Sequence, residues 1–234
     1  MGKLAIGLLL IMSFGWPVQR LSAQTILQQF TAVSAGAGET TDMDLTKPTS
    51  KGSLLIAMPE LLSPGITVVS ITDNAPGGNT WKQIPGATSN CANGAVNIWY
   101  SENSNPGATE LKFHLSGGVR ASLNSFLEVA NVALSSPVDG SGVQVSNEAA
   151  TSAGVEVGPK LTTGNLDFVI ARYTSTAPRP SAVTPAAWKF KTSYVYQLNA
   201  PAGVYQPTLT GAGAEGKFCM SMAAFKVSPG NPQR

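Results

Sequence analysis

Rhythm constrains this chain more than any single motif. Short apolar or alternating runs recur, and Gly, Pro, Asn or Ser cuts each one off before it lengthens. The clearest are SLLIAM (53–58), ITVVSI (66–71), VNIWY (96–100), LKFHL (111–115), FLEV (126–129), LDFVI (166–170), YVY (194–196) and the run 218–227. No segment keeps a helical period through three turns. Strand-length runs broken by turn formers about every 8–15 residues mark a β-sandwich or barrel. Alternation also predicts facing. Leu111, Phe113 and Leu115 share one face, and Lys112 and His114 the other, so this strand is half solvated. Both faces of 218–227 are apolar or small, which predicts a central strand covered on both sides.

An internal repeat adds a second constraint. IWYSENSNPGATELKF (98–113) and YVYQLNAPAGVYQPTL (194–209) align at one constant spacing. That spacing superimposes Tyr100 on Tyr196, Asn103 on Asn199, Gly107 on Gly203 and Phe113 on Leu209. It also brings SFLEVAN (125–131) onto SMAAFKV (221–227). Upstream, GSLLIAM (52–58) resembles GNLDFVIAR (164–172), and NTWKQ (79–83) resembles AAWKF (186–190). These segments predict an all-β, antiparallel, jelly-roll-like sandwich built from two internally similar halves, roughly 45–132 and 160–227. A single domain over 24–234 is expected, because each half offers few strands with which to bury its own faces. The alternative is two small sandwiches joined by the polar stretch 131–159.

The N-terminus follows the plan of an export signal over 1–23. Lys3 supplies the basic start, 4–14 is apolar or small, Trp16-Pro17 breaks the run, and Ala23 stands at the expected cut. The run is too short for a bilayer core, which takes about 20 apolar residues, and no later stretch is a transmembrane candidate. Secretion, or placement at the cell surface or in the periplasm, is therefore expected. Losing 1–23 removes Lys3 and Arg20 and no acid. The formal charge of +2 then vanishes, so the sequence pI of about 8.5 belongs partly to the signal. A neutral chain gives no electrostatic reason to expect nucleic acid as a partner. In an oxidising compartment Cys91 and Cys219 are a candidate disulfide, with two free buried thiols as the alternative.

The segments KGSLLIAM, SITDNAPGGNTW, IWYSENSNPGAT, FLEVANV, TGNLDFVIARY and MSMAAFKV together resemble a group of bacterial exported β-sandwich domains. Those domains share a G-D-L-L-V-A strand, a T-D-x-x-G-N-T-[WY] loop and an [IV]-W-Y-A strand. The resemblance covers roughly 45–227. This chain departs from it at EVANV, where the pattern places Gly after the strand, and in its longer NAPGGN. The resemblance implies a surface or extracellular module and does not imply a catalyst.

Chemistry-bearing residues are sparse. His114, the one histidine, falls in mid-strand and does not suggest a Ser-His-Asp arrangement. One His and two distant Cys exclude a zinc site built on several such ligands. Glu128, set among Phe126, Leu127 and Val129, reads as a carboxylate holding a neighbouring loop through N–H bonds, or as exposed. Asp42 and Asp44 read as a solvated outer face. Asp73, Asn74 and Asn79, with Asp139 further along, are candidate oxygens for Ca²⁺, although the loop 71–81 reads first as a turn. Trp81, Trp99, Trp188 and Tyr100 are candidate ligand-binding residues, as a stacking platform for a glycan. The competing reading is core packing. The expected function is a non-catalytic exported module that binds an extracellular glycan or a surface protein. A structural or adhesive module is the alternative, and a carboxylate-based glycosidase or lyase comes last.

Overall fold

The computed structural model describes residues 23–91, 94–139, 143–147, 155–164, 166–175, 180–211 and 218–229. The expected signal, 1–23, lies outside them apart from Ala23. The described residues are all-β, with no helix. The first strands are β1 (Thr25–Ala37), β2 (Thr40–Asp44), β3 (Leu54–Leu61), β4 (Val68–Asp73), β5 (Lys82–Cys91), β6 (Gly94–Ser101), β7 (Glu110–Leu115) and β8 (Val119–Ala130). There follow β9 (Val143–Asn147), β10 (Val155–Val157), β11 (Leu161–Thr163), β12 (Asp167–Ser175) and β13 (Ala182–Thr184). The last are β14 (Lys189–Phe190), β15 (Tyr194–Ala200), β16 (Gly203–Tyr205), β17 (Thr208–Thr210) and β18 (Phe218–Phe225).

Two five-stranded antiparallel sheets, β1-β8-β3-β6-β5 and β14-β15-β12-β18-β9, form the centre. Leu54, Ile56, Met58, Ile98, Leu127 and Val129 of the first meet Phe168, Ile170, Tyr194, Ala223 and Phe225 of the second. β5 lies over β18 and β9. A three-stranded sheet, β2-β7-β4, covers the outer face of the first sheet. There Met43, Ile71, Leu111 and Phe113 pack on Leu55, Ala57, Trp99 and Phe126. The sheet β10-β17-β13 and the pair β11-β16 cover the second, through Leu161, Leu209, Val169, Tyr173, Met220 and Met222. The sandwich therefore has four layers.

Strand composition follows this layering. β3 and β18 are buried at every position, as strands covered on both faces should be. β2 and β7 alternate, with Asp42, Asp44, Lys112 and His114 turned outward. The outer sheets face water on one side and need one apolar face.

The two large sheets have the same strand order when read from opposite edges, and their registers agree. Tyr100 pairs with Ile56 and Lys82, while Tyr196 pairs with Ile170 and Lys189. Leu54 pairs with Val129, and Phe168 with Phe225. The smaller sheets β2-β7-β4 and β10-β17-β13 also share an order. Asn103 and Asn199 both adopt left-handed φ, 49° and 51°. One alignment made from sequence is corrected by this register. Hydrogen bonding places Phe168, not Leu166, opposite the role of Leu54. Leu166 falls where the first half has Gly52, and both hold positive φ, 63° and 73°. The shared G-x-L letters lie two residues out of step because the turn kept its conformation without its glycine.

Candidate functional site

In the loop after β4, the side-chain oxygens of Asp73, Asn74 and Asn79 are spent on the loop and on the neighbouring segment 105–110. Asp73 Oδ1 accepts the Ala75 N–H at 3.0 Å, an Asx turn. Its Oδ2 accepts the indole N–H of Trp81 at 2.7 Å. Asn74 Oδ1 accepts the N–H groups of Thr109 at 2.7 Å and Glu110 at 3.1 Å. Asn79 Oδ1 accepts the Asn105 N–H at 2.7 Å. These three of the four candidate calcium residues thus act as turn caps, with their oxygens aimed at N–H donors. Among the described residues no three of His, Cys, Asp and Glu gather as a metal site.

The four candidate binding aromatics do not form one platform. Trp99 is 6 % exposed and lies inside the layer beneath β2-β7-β4, and Trp81 packs half-buried against the same layer. Tyr100 sits between Phe225, edge-on at 5.9 Å, and the Lys82 ammonium, 5.8 Å from its ring centre. Trp188 is 4 % exposed, in the opposite outer layer. Bulky aromatics at sheet centres are drawn inward by the area they bury.

Several charged groups have structural partners. Glu128 is fully buried: it accepts the Ser50 N–H at 2.6 Å, the Ser53 hydroxyl at 2.9 Å and the Gln28 amide at 2.7 Å. This is the loop-holding carboxylate that its setting in the sequence suggested. His114 Nε2 lies 3.0 Å from the Thr72 hydroxyl. Sequence reasoning missed Glu60 and Arg172, which pair at 2.8 Å between the two large sheets, both buried. Arg172 also donates to Leu123 O at 2.9 Å and to Ser193 O, and Thr174 donates to Glu60. The signal was available as one charge inside each of two apolar runs, AMPELL and VIARY. Cys219 is fully buried and disulfide-bonded, and Cys91, the other cysteine of the chain, ends β5.

A second carboxylate group forms at the turn before β12. The Gly164 N–H is shared by Asp139 Oδ2 at 2.7 Å and Asp167 Oδ2 at 3.1 Å. Burial, then the hydrogen bond and charge of Asp139, push the Asp167 carboxyl up to about 7, against the Gly164 N–H and the Lys226 ammonium. The Lys226 ammonium stands 3.9 Å from Asp139.

An open cleft of ≈ 500 Å³ lies on the outer face of the second half, and a smaller one of ≈ 140 Å³ is lined by Thr72, Asp73, Asn74, Glu110 and Lys112. Pro185, Trp188, Gln197, Gly203, Val204 and Tyr205 line the larger one. Trp188 and Tyr205 meet edge-to-face at 6.3 Å, and Tyr205 donates to Pro201 O at 2.7 Å. Val204 is 67 % exposed, and the buried indole N–H of Trp188 has no hydrogen-bond partner among the described residues. A concave wall lined mostly by apolar and aromatic side chains can take up a ligand. Of the sequence candidates, only Trp188 lines the larger cleft. Comparison with protein families, curated proteins and solved structures finds no match to this chain.

Proposed function

We propose that this chain is an exported, non-catalytic β-sandwich module that binds a ligand in the cleft over Trp188. The carrying observation is the cleft itself, with the exposed Val204 on its rim and the buried Trp188 in its lining. Export rests on the N-terminal signal pattern and on the resemblance to exported β-sandwich domains. Binding rather than catalysis is favoured by the two carboxylates that the sequence singled out, Glu128 and Asp73, which spend their oxygens on structural donors. Burial of Trp99 and Trp188 favours insertion of a ligand into a cleft over stacking of a glycan on a flat platform.

The test is a screen of glycans and peptides against the purified, ¹⁵N-labelled chain, reading the indole N–H resonances of Trp81, Trp99 and Trp188. A ligand of this module moves the Trp188 signal saturably. If every ligand that binds leaves Trp188 unmoved, the cleft is not the site. If nothing binds at all, the structural or adhesive reading takes its place.

A further inference from the structure

Gln24, the residue before β1, stands just after the expected signal cut and is 3 % exposed. It meets one residue of β15 twice. Its backbone N–H donates to Asn199 Oδ1 at 2.9 Å, and its side-chain Oε1 accepts the Asn199 N–H at 2.9 Å. The side chain therefore returns to the same residue that its own backbone nitrogen touches. Asn199 holds left-handed φ, 51°, a conformation that asparagine tolerates better than most residues. The third polar atom of Gln24, Nε2, is buried and has no hydrogen-bond partner among the described residues. Turning the amide over does not help, because the Asn199 N–H would then face a second donor. A buried donor left unmet costs free energy and is rare.

Cutting the chain after Ala23 sharpens the problem. It converts the Gln24 N–H into an α-ammonium, and the acceptor there, Asn199 Oδ1, is neutral. A charge in a buried setting without a counter-charge is costly. What Ala23 takes with it lies at the exposed rim, where its carbonyl accepts the Asn131 amide at 2.7 Å.

We propose that Gln24, once freed, closes on itself to pyroglutamate, and that Asn199 is the built seat of this lactam. The α-amine nitrogen attacks Cδ and forms an N–Cδ bond. The Cδ–Nε2 bond breaks, and Nε2 leaves as ammonia, carrying one proton from the amine. No oxidant or other reactant is needed. The lactam holds its N–H and C=O on the same side of the ring. One donor and one acceptor side by side are what Asn199 answers with Oδ1 and its own N–H. Both contacts persist, the charge is gone, and the atom expelled is the one without a partner. The closed end pins β1 of the first large sheet to β15 of the second, and offers no free amine to an aminopeptidase. This modification rests on the export reading above, which places the cut before Gln24.

The test is the intact mass of the chain recovered from outside the cytoplasm of an exporting host, measured without acid treatment and after storage to constant mass. The chain should begin at residue 24 and be lighter than 24–234 with an open glutamine by one ammonia. Pyroglutamyl aminopeptidase should remove that residue from the unfolded chain and spare it in the folded one. Hydrogen exchange at the Asn199 amide should be roughly tenfold faster in Gln24→Ala, the worth of one buried hydrogen bond. An exported chain that begins at 24 with its glutamine open, or that begins elsewhere, overturns the modification and leaves export standing. Unchanged exchange at Asn199 in Gln24→Ala overturns the seat. A chain that keeps 1–23 overturns the modification and the export reading together.

Discussion

Asp167 and Asp139 converge on one backbone N–H, and that geometry has a pH signature. An unfolded aspartate releases its proton near pH 4, whereas Asp167 in the fold holds its proton up to about 7. Between those limits the folded chain binds a proton that the unfolded chain has lost. Stability should therefore rise as pH falls from about 7 toward 4, and this gain should be gone once pH has risen through about 7. Asp167→Asn mimics the protonated state and should flatten that slope. Urea midpoints of both proteins at pH 5 and pH 8 test this, and equal slopes would sink the idea. Such a pair was not legible beforehand, because Asp139 lies in a polar connection and Asp167 in a strand that sequence alone does not bring together. Glu128 was legible, because a lone acid inside an apolar run must be bonded if it is buried.

The layer contact between β3 and β12 depends on Glu60 and Arg172. Each is fully buried, and their attraction offsets a desolvation cost that neither could bear alone. Arg172→Met should cost about 3–5 kcal/mol, because it takes the guanidinium away from the buried Glu60 carboxylate. Adding Glu60→Met to it should recover most of that loss. Equilibrium unfolding of the two single variants and the double variant measures the coupling, and additive losses would show that the pair acts through separate partners. Runs and alternation revealed the strands themselves, including the half-solvated β7 and the doubly covered β18. They did not reveal the number of layers. A strand buried on both faces reads the same whether its second cover is another large sheet or a loop. Register was equally hidden: Leu166 in left-handed conformation carried no glycine to mark the turn. Of the cleft, Trp188 alone was picked out in the sequence, since nothing in the letters brings Pro185, Gln197 and Tyr205 beside it.

The layer between the two large sheets is mostly apolar, from Leu54 and Ile56 to Phe168 and Phe225, around the Glu60–Arg172 pair. Separating the halves would expose that surface, so heating should unfold the chain in one transition, with calorimetric and van't Hoff enthalpies equal. Two resolved transitions would mean that the halves are independent domains. The same layer decides which surfaces can meet. Glu60 pairs with Leu123 as Thr174 pairs with Cys219, so the two hold corresponding positions, and they touch across the layer. Were two copies of the first half to associate in the same manner, two Glu60 carboxylates would be pressed together without an arginine, since Met58 stands where the second half has Arg172. Like charges forced together in a dry layer repel strongly. The seam therefore accepts a first half against a second half and rejects a first half against its own kind. That asymmetry opposes the pairing of one first half with another in place of its own second half.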